Sequence, residues 1–258
     1  MTVVKFAVRS ETGRVRTNNE DNFFCSGIYM TPSEYGRPFF LSGVAEIPCV
    51  FAVFDGMGGH DCGELASLVS AETLAEHCGE IISGGYEAVS RYAFDVHGRL
   101  RDIMLSEHII TGATLGLVVL GTESFSVYNL GDSRIYRDNS GVLTRITDDH
   151  TVAEERVRMG MMSPRNAEKS PLRHRLTRFL GMPDSFGAAP DSYGSFSFDD
   201  NRRILLSTDG LNEMLTHREI SALMKESGTV TDAVNYLVDE ALKRGGVDNI
   251  TCIAIEIY

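Results

Sequence analysis

Apolar residues along this chain follow two periods. Short runs rich in Val, Ile and Phe at VVKFAV (3–8), CVFAVF (49–54), TLGLVVL (114–120), SFSVYNL (124–130), RIYR (134–137), RILLST (203–208) and ITCIAIEI (250–257) predict strands. Between the second and third run the spacing becomes helical. The stretch GELASLVSAETLAEHCGEII (63–82) lines up Leu65, Leu68, Val69 and Leu74, and residues 85–108 line up Val89, Tyr92, Ala93, Val96 and Leu100. Further helices are expected at 151–160, 217–226 and 230–244, the last ending before Gly245-Gly246 as a helix C-terminus should. Long helices set between strands that are joined by tight turns favour antiparallel sheet with helices packed outside over a parallel doubly wound fold.

Composition narrows the classes. A length of 258 residues with 43% hydrophobic content fits one domain spanning 1–258, with no repeat and no linker long enough to divide it. No apolar run reaches the roughly 20 residues needed to cross a bilayer, and the opening MTVVKFAVRSETGR lacks the apolar stretch of a signal peptide. A cytoplasmic protein without membrane attachment is expected. Cys25, Cys49, Cys62, Cys78 and Cys252 make an odd number with no C-x-x-C pair, which points to reduced thiols and against a disulfide framework or zinc knuckle. A formal charge of −12 argues against nucleic acid as a partner. The excess carboxylate either solvates the surface or binds a hard cation.

Aspartates mark the strand ends. Three strand-like runs stop at one, Asp55 in CVFAVFDG, Asp132 in SVYNLGDS and Asp209 in RILLSTDG, and Asp248 in GGVDNITCIAIEI directly precedes another. The end of one antiparallel strand lies beside the start of its neighbour, so the four carboxylates can meet at one edge of the core. The competing reading is four independent turns, since Asp-Gly and Asp-Asn are ordinary turn dipeptides, and Asp132 taken alone is best read that way. Converging carboxylates repel unless a cation joins them, and Mg²⁺ or Mn²⁺ prefers carboxylate, carbonyl and water oxygens. Both readings stay open at this point.

Two neighbouring motifs add chemistry. VRTNNEDN (15–22) adds Glu20 and Asp21 with Arg16 four residues before the glutamate, and the planar guanidinium fork suits a phosphate. DGMGGH (55–60) has glycines that let the backbone approach a ligand, so that the Gly56 carbonyl can itself serve a metal. Neither nucleotide-loop pattern, G-x-G-x-x-G or G-x-x-x-x-G-K-[ST], is present there. His60 in isolation reads as a surface or capping residue. Metals with an arginine clamp are the parts that phosphoryl transfer to water requires.

Taken in order, RTNNED, FDGMGGH, TGATLGLVVL, LGDSRIY, ITDDHT, LLSTDGL and GGVDNITCIAIEI closely resemble the metal-dependent protein serine/threonine phosphatases of the protein phosphatase 2C type, in a bacterial-like form, over residues 5 to 257. The resemblance implies an α+β fold: a four-layer α-β-β-α sandwich of two mostly antiparallel sheets with helices on both outer faces. It implies a binuclear Mn²⁺ or Mg²⁺ centre at one end, with a possible weaker third ion, and hydrolysis of phosphoserine and phosphothreonine by a hydroxide bridging two metals. By motif position Asp55 would bridge them, the Gly56 carbonyl would bind one, and Asp209 and Asp248 the other. Glu20 and Asp21 would act through metal-bound water, Arg16 would hold the substrate phosphate, and Asp132 would share the third ion with Asp209. Eukaryotic members carry histidine after the Asp-Gly pair where this chain has Met57, which cannot donate a proton. His60, at the end of the motif as in bacterial members, is the catalytic candidate instead.

The resemblance also makes residues 151–182 a flap beside the active site, here with seven Lys or Arg against three Glu. Expected partners are phosphorylated proteins, substrates of a bacterial serine/threonine kinase, met by a monomer. The 26–48 connection is longer than in compact bacterial members, and its purpose is not legible. Two other functions compete: a phosphatase for small phosphate esters, and a catalytically weak phosphoprotein-binding relative.

Overall fold

The computed structural model describes residues 3–58, 62–139, 141–182, 189–199 and 201–258. His60 lies outside them. One sheet has the order β3-β1-β12-β11-β8-β9 and the other β10-β7-β6-β4-β2, with β5 paired to β4. In chain order the strands are β1 (Val3–Glu11), β2 (Asp21–Cys25), β3 (Phe39–Glu46), β4 (Cys49–Gly58), β5 (Thr111–Ala113), β6 (Leu115–Leu120), β7 (Ser124–Leu130), β8 (Arg134–Asn139), β9 (Val142–Arg145), β10 (Asp191–Ser197), β11 (Asn201–Ser207) and β12 (Ile250–Ile257). All their pairings are antiparallel.

Side-chain alternation builds the layers. Along β4, Cys49, Phe51 and Val53 point into the core between the sheets, while Val50, Ala52 and Phe54 point to the helix outside. Along β12, Ile253 and Ile255 enter the same inter-sheet core, and Ile250, Cys252 and Ala254 meet the opposite helix layer. Strands buried on both faces read as unbroken apolar runs, which is why these two are conspicuous in the sequence. The expected α-β-β-α sandwich is therefore the observed one.

On the outer face of the second sheet lies α1 (Gly63–Glu107), bent back at Gly85, whose φ of 56° and ψ of −142° no helix tolerates. Its two halves pack together: the Tyr92 hydroxyl donates to the Ser70 carbonyl at 3.0 Å, and Arg99 forks onto Glu76. The expected stripe of the second half, Val89, Tyr92, Ala93, Val96 and Leu100, is fully buried. In the first half the buried face is instead Ala66, Ser67, Ser70, Ala71 and Leu74, with Leu65, Leu68 and Val69 only partly covered.

Over the first sheet lie α4 (Asp209–Met214), α5 (His217–Glu226) and α6 (Val230–Lys243). Thr216 with Glu219 and Thr229 with Asp232 form capping boxes that fix the starts of α5 and α6. The 151–182 segment holds α2 (Val152–Arg158), α3 (Pro164–Ala167) and a single 3₁₀ turn at Pro171–His174. Among the described residues no helix is long and apolar enough to cross a membrane.

Candidate active site

Antiparallel pairing gathers the acidic residues at one end of the sandwich. Asp21, first residue of β2, stands directly opposite Asp55 near the end of β4. In the other sheet the end of β11 adjoins the start of β12, which brings Asp209 and Asp248 to the same edge. A hydrogen bond crosses between the sheets, from the Thr208 hydroxyl to Asp21 Oδ2 at 2.8 Å, and Thr208 Oγ1 in turn accepts from the Thr251 amide. Four independent turns are excluded, because Asp55 lies within a strand and Asp209 opens a helix.

Asp132 does sit in the β7–β8 turn, and the same turn delivers it to the site. Its neighbour Gly131 has φ of +111° and donates its amide to His150 Nδ1 at 3.0 Å. Carboxylate oxygens of Asp55, Asp132 and Asp209 lie within 4.8 Å of one another. Thr114 supports them: its Oγ1 accepts the Asp55 amide at 3.0 Å and lies 2.7 Å from Ser133 Oγ. A Cβ on Gly131 would come within 2.6 Å of Thr114 Cγ2 in a backbone conformation that side chains avoid. Gly131→Ala should accordingly lower stability by about 1–3 kcal/mol in urea melts and reduce activity by displacing Thr114. An unchanged melt would show that the turn is not constrained as described.

The acidic pair and the Asp-Gly motif interlock through the backbone. Gly56 donates its amide to the Glu20 carbonyl at 3.1 Å, and Gly63 donates to Glu20 Oε1 at 3.1 Å. A Cβ at Gly56 would collide with the Gly63 and Glu20 carbonyl oxygens, which explains the glycine by close approach of three backbones. Arg16 reaches over the cleft to Asp248 Oδ2 at 2.7 Å with half its side chain exposed. Together Arg16, Glu20, Asp55, Gly56, Asp132, Asp209 and Asp248 line an open cleft of about 670 Å³. Asp21 lies behind it, almost fully buried.

Electrostatics confirm how costly this convergence is for the bare protein. Burial, with the neighbouring carboxylates adding to it, holds Asp21 and Asp55 well above the ordinary carboxylate range. Asp132 is raised likewise by burial and then by Asp209 and Asp149, against the pull of Arg134. Asp209 is pushed up to about 7 by burial and then by the charges of Glu213 and Asp248. Burial also raises Glu20. Such groups share protons until a cation replaces them.

The donor set fits that cation. It is all oxygen, from carboxylates and the Gly56 carbonyl, as Mn²⁺ and Mg²⁺ prefer. Asp21 Oδ1 is buried without a hydrogen-bond partner, an orphan that a metal-bound water would satisfy.

Several residues of the site were not singled out from sequence. Asn249 accepts the Glu20 amide at 2.8 Å and donates to the Thr12 and Asn18 carbonyls, thereby fastening the acidic loop to the start of β12. Thr208 was visible only as a polar residue ending an apolar run. His174 and Glu213 also line the cleft, 2.9 Å apart between Nδ1 and Oε1, and nothing in their local sequence distinguishes them from a solvated helix end. The positive charge of 151–182 is partly spent internally, with Arg158 on Asp148, Arg173 near Glu213 and Arg178 on Asp191.

The sequence model of Protein phosphatase 2C matches residues 10–250. The serine/threonine phosphatase stp of Listeria monocytogenes is 28% identical over 255 residues, covering 96% of this chain and 94% of that protein. The crystal structure of the Mycobacterium tuberculosis serine/threonine phosphatase PstP/Ppp superposes with a TM-score of 0.82 at 26% identity, covering 98% of each chain. The catalytic domain of PstP in complex with 2 manganese ions gives a TM-score of 0.79 at 25% identity, covering 100% of this chain and 99% of that one.

Proposed function

Because this chain belongs to the protein phosphatase 2C family of metal-dependent serine/threonine phosphatases, we propose that its cleft hydrolyses phosphoserine and phosphothreonine on proteins by attack of water. The observation that carries this reading is the convergence of carboxylate oxygens of Asp55, Asp132 and Asp209 within 4.8 Å in a cleft that Arg16 also lines. When bound, two Mn²⁺ or Mg²⁺ ions supply a hydroxide nucleophile at neutral pH and neutralise phosphate charge. The PstP catalytic domain with its 2 manganese ions supports that stoichiometry.

The chain's own residues then have separable tasks. Asp55 would serve both ions, the Gly56 carbonyl would bind one of them, Asp209 and Asp248 would bind the other, and Glu20 and Asp21 would act through coordinated water. Asp132 shares an outer ion with Asp209. Arg16, already paired with Asp248 at the rim, is placed to turn its fork onto a phosphate entering the cleft. His60 would donate the proton to the departing alkoxide. The 151–182 segment borders the cleft through His174, Leu176 and Phe179 and acts as the flap of a single domain. The serine/threonine phosphatases among the bacterial relatives support phosphoproteins as substrates; a serine/threonine kinase as their source, a cytoplasmic setting and a monomeric enzyme complete the proposal.

Turnover of phosphopeptides and of a nitrophenyl ester, with Mn²⁺, Mg²⁺ or chelator, tests the proposal directly. Phosphopeptides should be hydrolysed with either ion and not in chelator. Preference for the small ester with no peptide turnover would favour the small-ester reading. Arg16→Ala should raise KM for phosphopeptide roughly ten- to a hundredfold, the value of a charge-assisted hydrogen bond, with a smaller change in kcat. Lysine there should recover only part of the loss, since it lacks the fork. An unaltered KM would remove Arg16 from the phosphate.

A further inference from the structure

We propose that His150 is a positioning residue for catalysis: its imidazole, held in one tautomer by Asp191 and Arg178, fixes the Gly131 turn that presents Asp132 to the cleft. The inference rests on the phosphatase reading above, in which Asp132 belongs to the reacting centre. ITDDHT (146–151) has no task in that reading, yet its histidine is only 2% exposed. Among the described residues no side chain donates a hydrogen bond to the Asp132 carboxylate, so the backbone of the turn sets its aim.

That backbone begins at a glycine with φ of +111°, a residue with little conformational preference of its own. His150 restrains both of its polar backbone atoms. The Gly131 amide donates to His150 Nδ1 at 3.0 Å, and the Gly131 carbonyl accepts from the His150 amide at 2.9 Å. An N–H can only donate, so Nδ1 carries no proton and the proton of the neutral ring sits on Nε2. Nε2 lies 3.0 Å from Asp191 Oδ2, the acceptor that this tautomer needs. Burial, and then the charge of Arg178, lowers the imidazole pKa and favours the neutral ring.

Arg178 decides which carboxylate oxygen the ring receives. Its Nη1, 3.2 Å from His150 Nε2, donates to Asp191 Oδ1 at 2.7 Å, which leaves Oδ2 for the ring. The same guanidinium donates to the Ala189 carbonyl, and Thr177 donates its amide to the His150 carbonyl at 2.8 Å. Residues 177 and 178 of the 151–182 segment therefore reach the Asp132 turn through His150. The hydrogen bond at one ring nitrogen sets what the other can do, as in histidines oriented by a carboxylate. Here the other nitrogen holds a peptide N–H and not a substrate, so His150 acts only through Asp132.

Nitrogen-15 NMR of the histidine rings in metal-free protein, combined with kcat on phosphopeptide at saturating Mn²⁺, tests the role. Wild-type His150 should carry its proton on Nε2. Asp191→Asn should turn its carbonyl to Arg178 and its NH₂ to the ring, moving the ring proton to Nδ1 and lowering kcat roughly ten- to a hundredfold. His150→Leu should lose a similar factor, and His150→Asn should recover most of it, because Oδ1 can replace Nδ1 as the acceptor for Gly131. In an Asp132→Ala background, His150→Leu should change kcat less than about twofold, since nothing is left to position. Where His150→Leu does not fold, Asp191→Asn decides alone, because tautomer and kcat must change together. A wild-type ring protonated on Nδ1, equal losses in His150→Leu and His150→Asn, or the full loss repeated in the Asp132→Ala background would overturn the inference. Wild-type protein without turnover would refute the phosphatase reading itself, and the inference with it.

Discussion

Asp55→Asn is expected to reduce turnover on the order of 10³-fold, about 4 kcal/mol of transition-state stabilisation, while raising the melting temperature of the chelator-treated protein. The two effects have one cause. Asp55 stands opposite Asp21 and within reach of Asp132 and Asp209, and burial with these like charges drives its carboxyl far above the usual range. Asparagine keeps the shape and the backbone bond to Thr114, and removes a carboxyl that must either take up a proton on burial or stand charged beside its neighbours. Relief of that cost stabilises the bare fold. On the proposed two-ion reading, loss of the shared ligand should destroy the centre, since a neutral amide binds a hard cation weakly. Thermal melts in chelator and kcat at saturating Mn²⁺ measure both. A lowered melting temperature in chelator would make Asp55 a structural residue, and near-normal turnover would remove it from the metal centre.

The pH dependence of stability should be inverted in the absence of divalent ions. Asp209 is pushed up to about 7 in the folded chain, against an ordinary value of 3.8. Between those two values the folded state holds more protons than the unfolded state, so stability falls as pH rises. One such group contributes a slope approaching about 1.4 kcal/mol per pH unit, and Asp21, Asp55 and Asp132, also raised, act in the same sense. Carboxyls shifted the other way, such as Glu219 at about 2, lose their contribution only in acid below this window. Chelator-treated protein should therefore melt several degrees higher near pH 5 than near pH 8. Saturating Mn²⁺ should reverse the trend, because the ion binds the deprotonated carboxylates and is best held at high pH. Greater stability at pH 8 than at pH 5 in chelator would contradict the buried cluster.

The apolar runs were sufficient for the strands that are buried on both faces, because such strands must be continuously apolar. Strands β4 and β12 were legible for that reason, and β7, where partly covered Ser124 and Ser126 alternate with buried Phe125 and Val127, as a short run of strand-forming residues; β7 and β12 match residue for residue. Edge and short strands were not. In β3 the pattern alternates between exposed and partly covered, with Phe40 and Val44 in solvent, and β9 is four residues long with only Leu143 buried. Their apolar residues are interrupted, Phe39-Phe40-Leu41 by Ser42-Gly43 and Val142-Leu143 by Thr144-Arg145, and pairing with β1 and β8 is what makes them strands. The kink at Gly85 divides two helical segments that the periodicity had already separated, but the buried face of the first half is Ala66, Ser67, Ser70, Ala71 and Leu74, which the apolar spacing did not single out.

The same division holds for the site. By itself the sequence determined the acidic inventory, Glu20, Asp21, Asp55, Asp132, Asp209 and Asp248, the arginine and glycine beside it, and the order of motifs that marks the family. Those properties are local: residue type, spacing and the end of an apolar run. Convergence is not local, since Asp21 meets Asp55 through strand register and meets Thr208 across two sheets, over separations that no window of sequence spans. Only the tertiary structure decided that Asp132 serves a turn and the cleft at once. It alone placed Asn249 as the fastener of the acidic loop and brought His174 from the 151–182 segment against Glu213 on α4. Side chains that act through partners distant in sequence carry no local pattern, because their identity is set by what the fold places beside them.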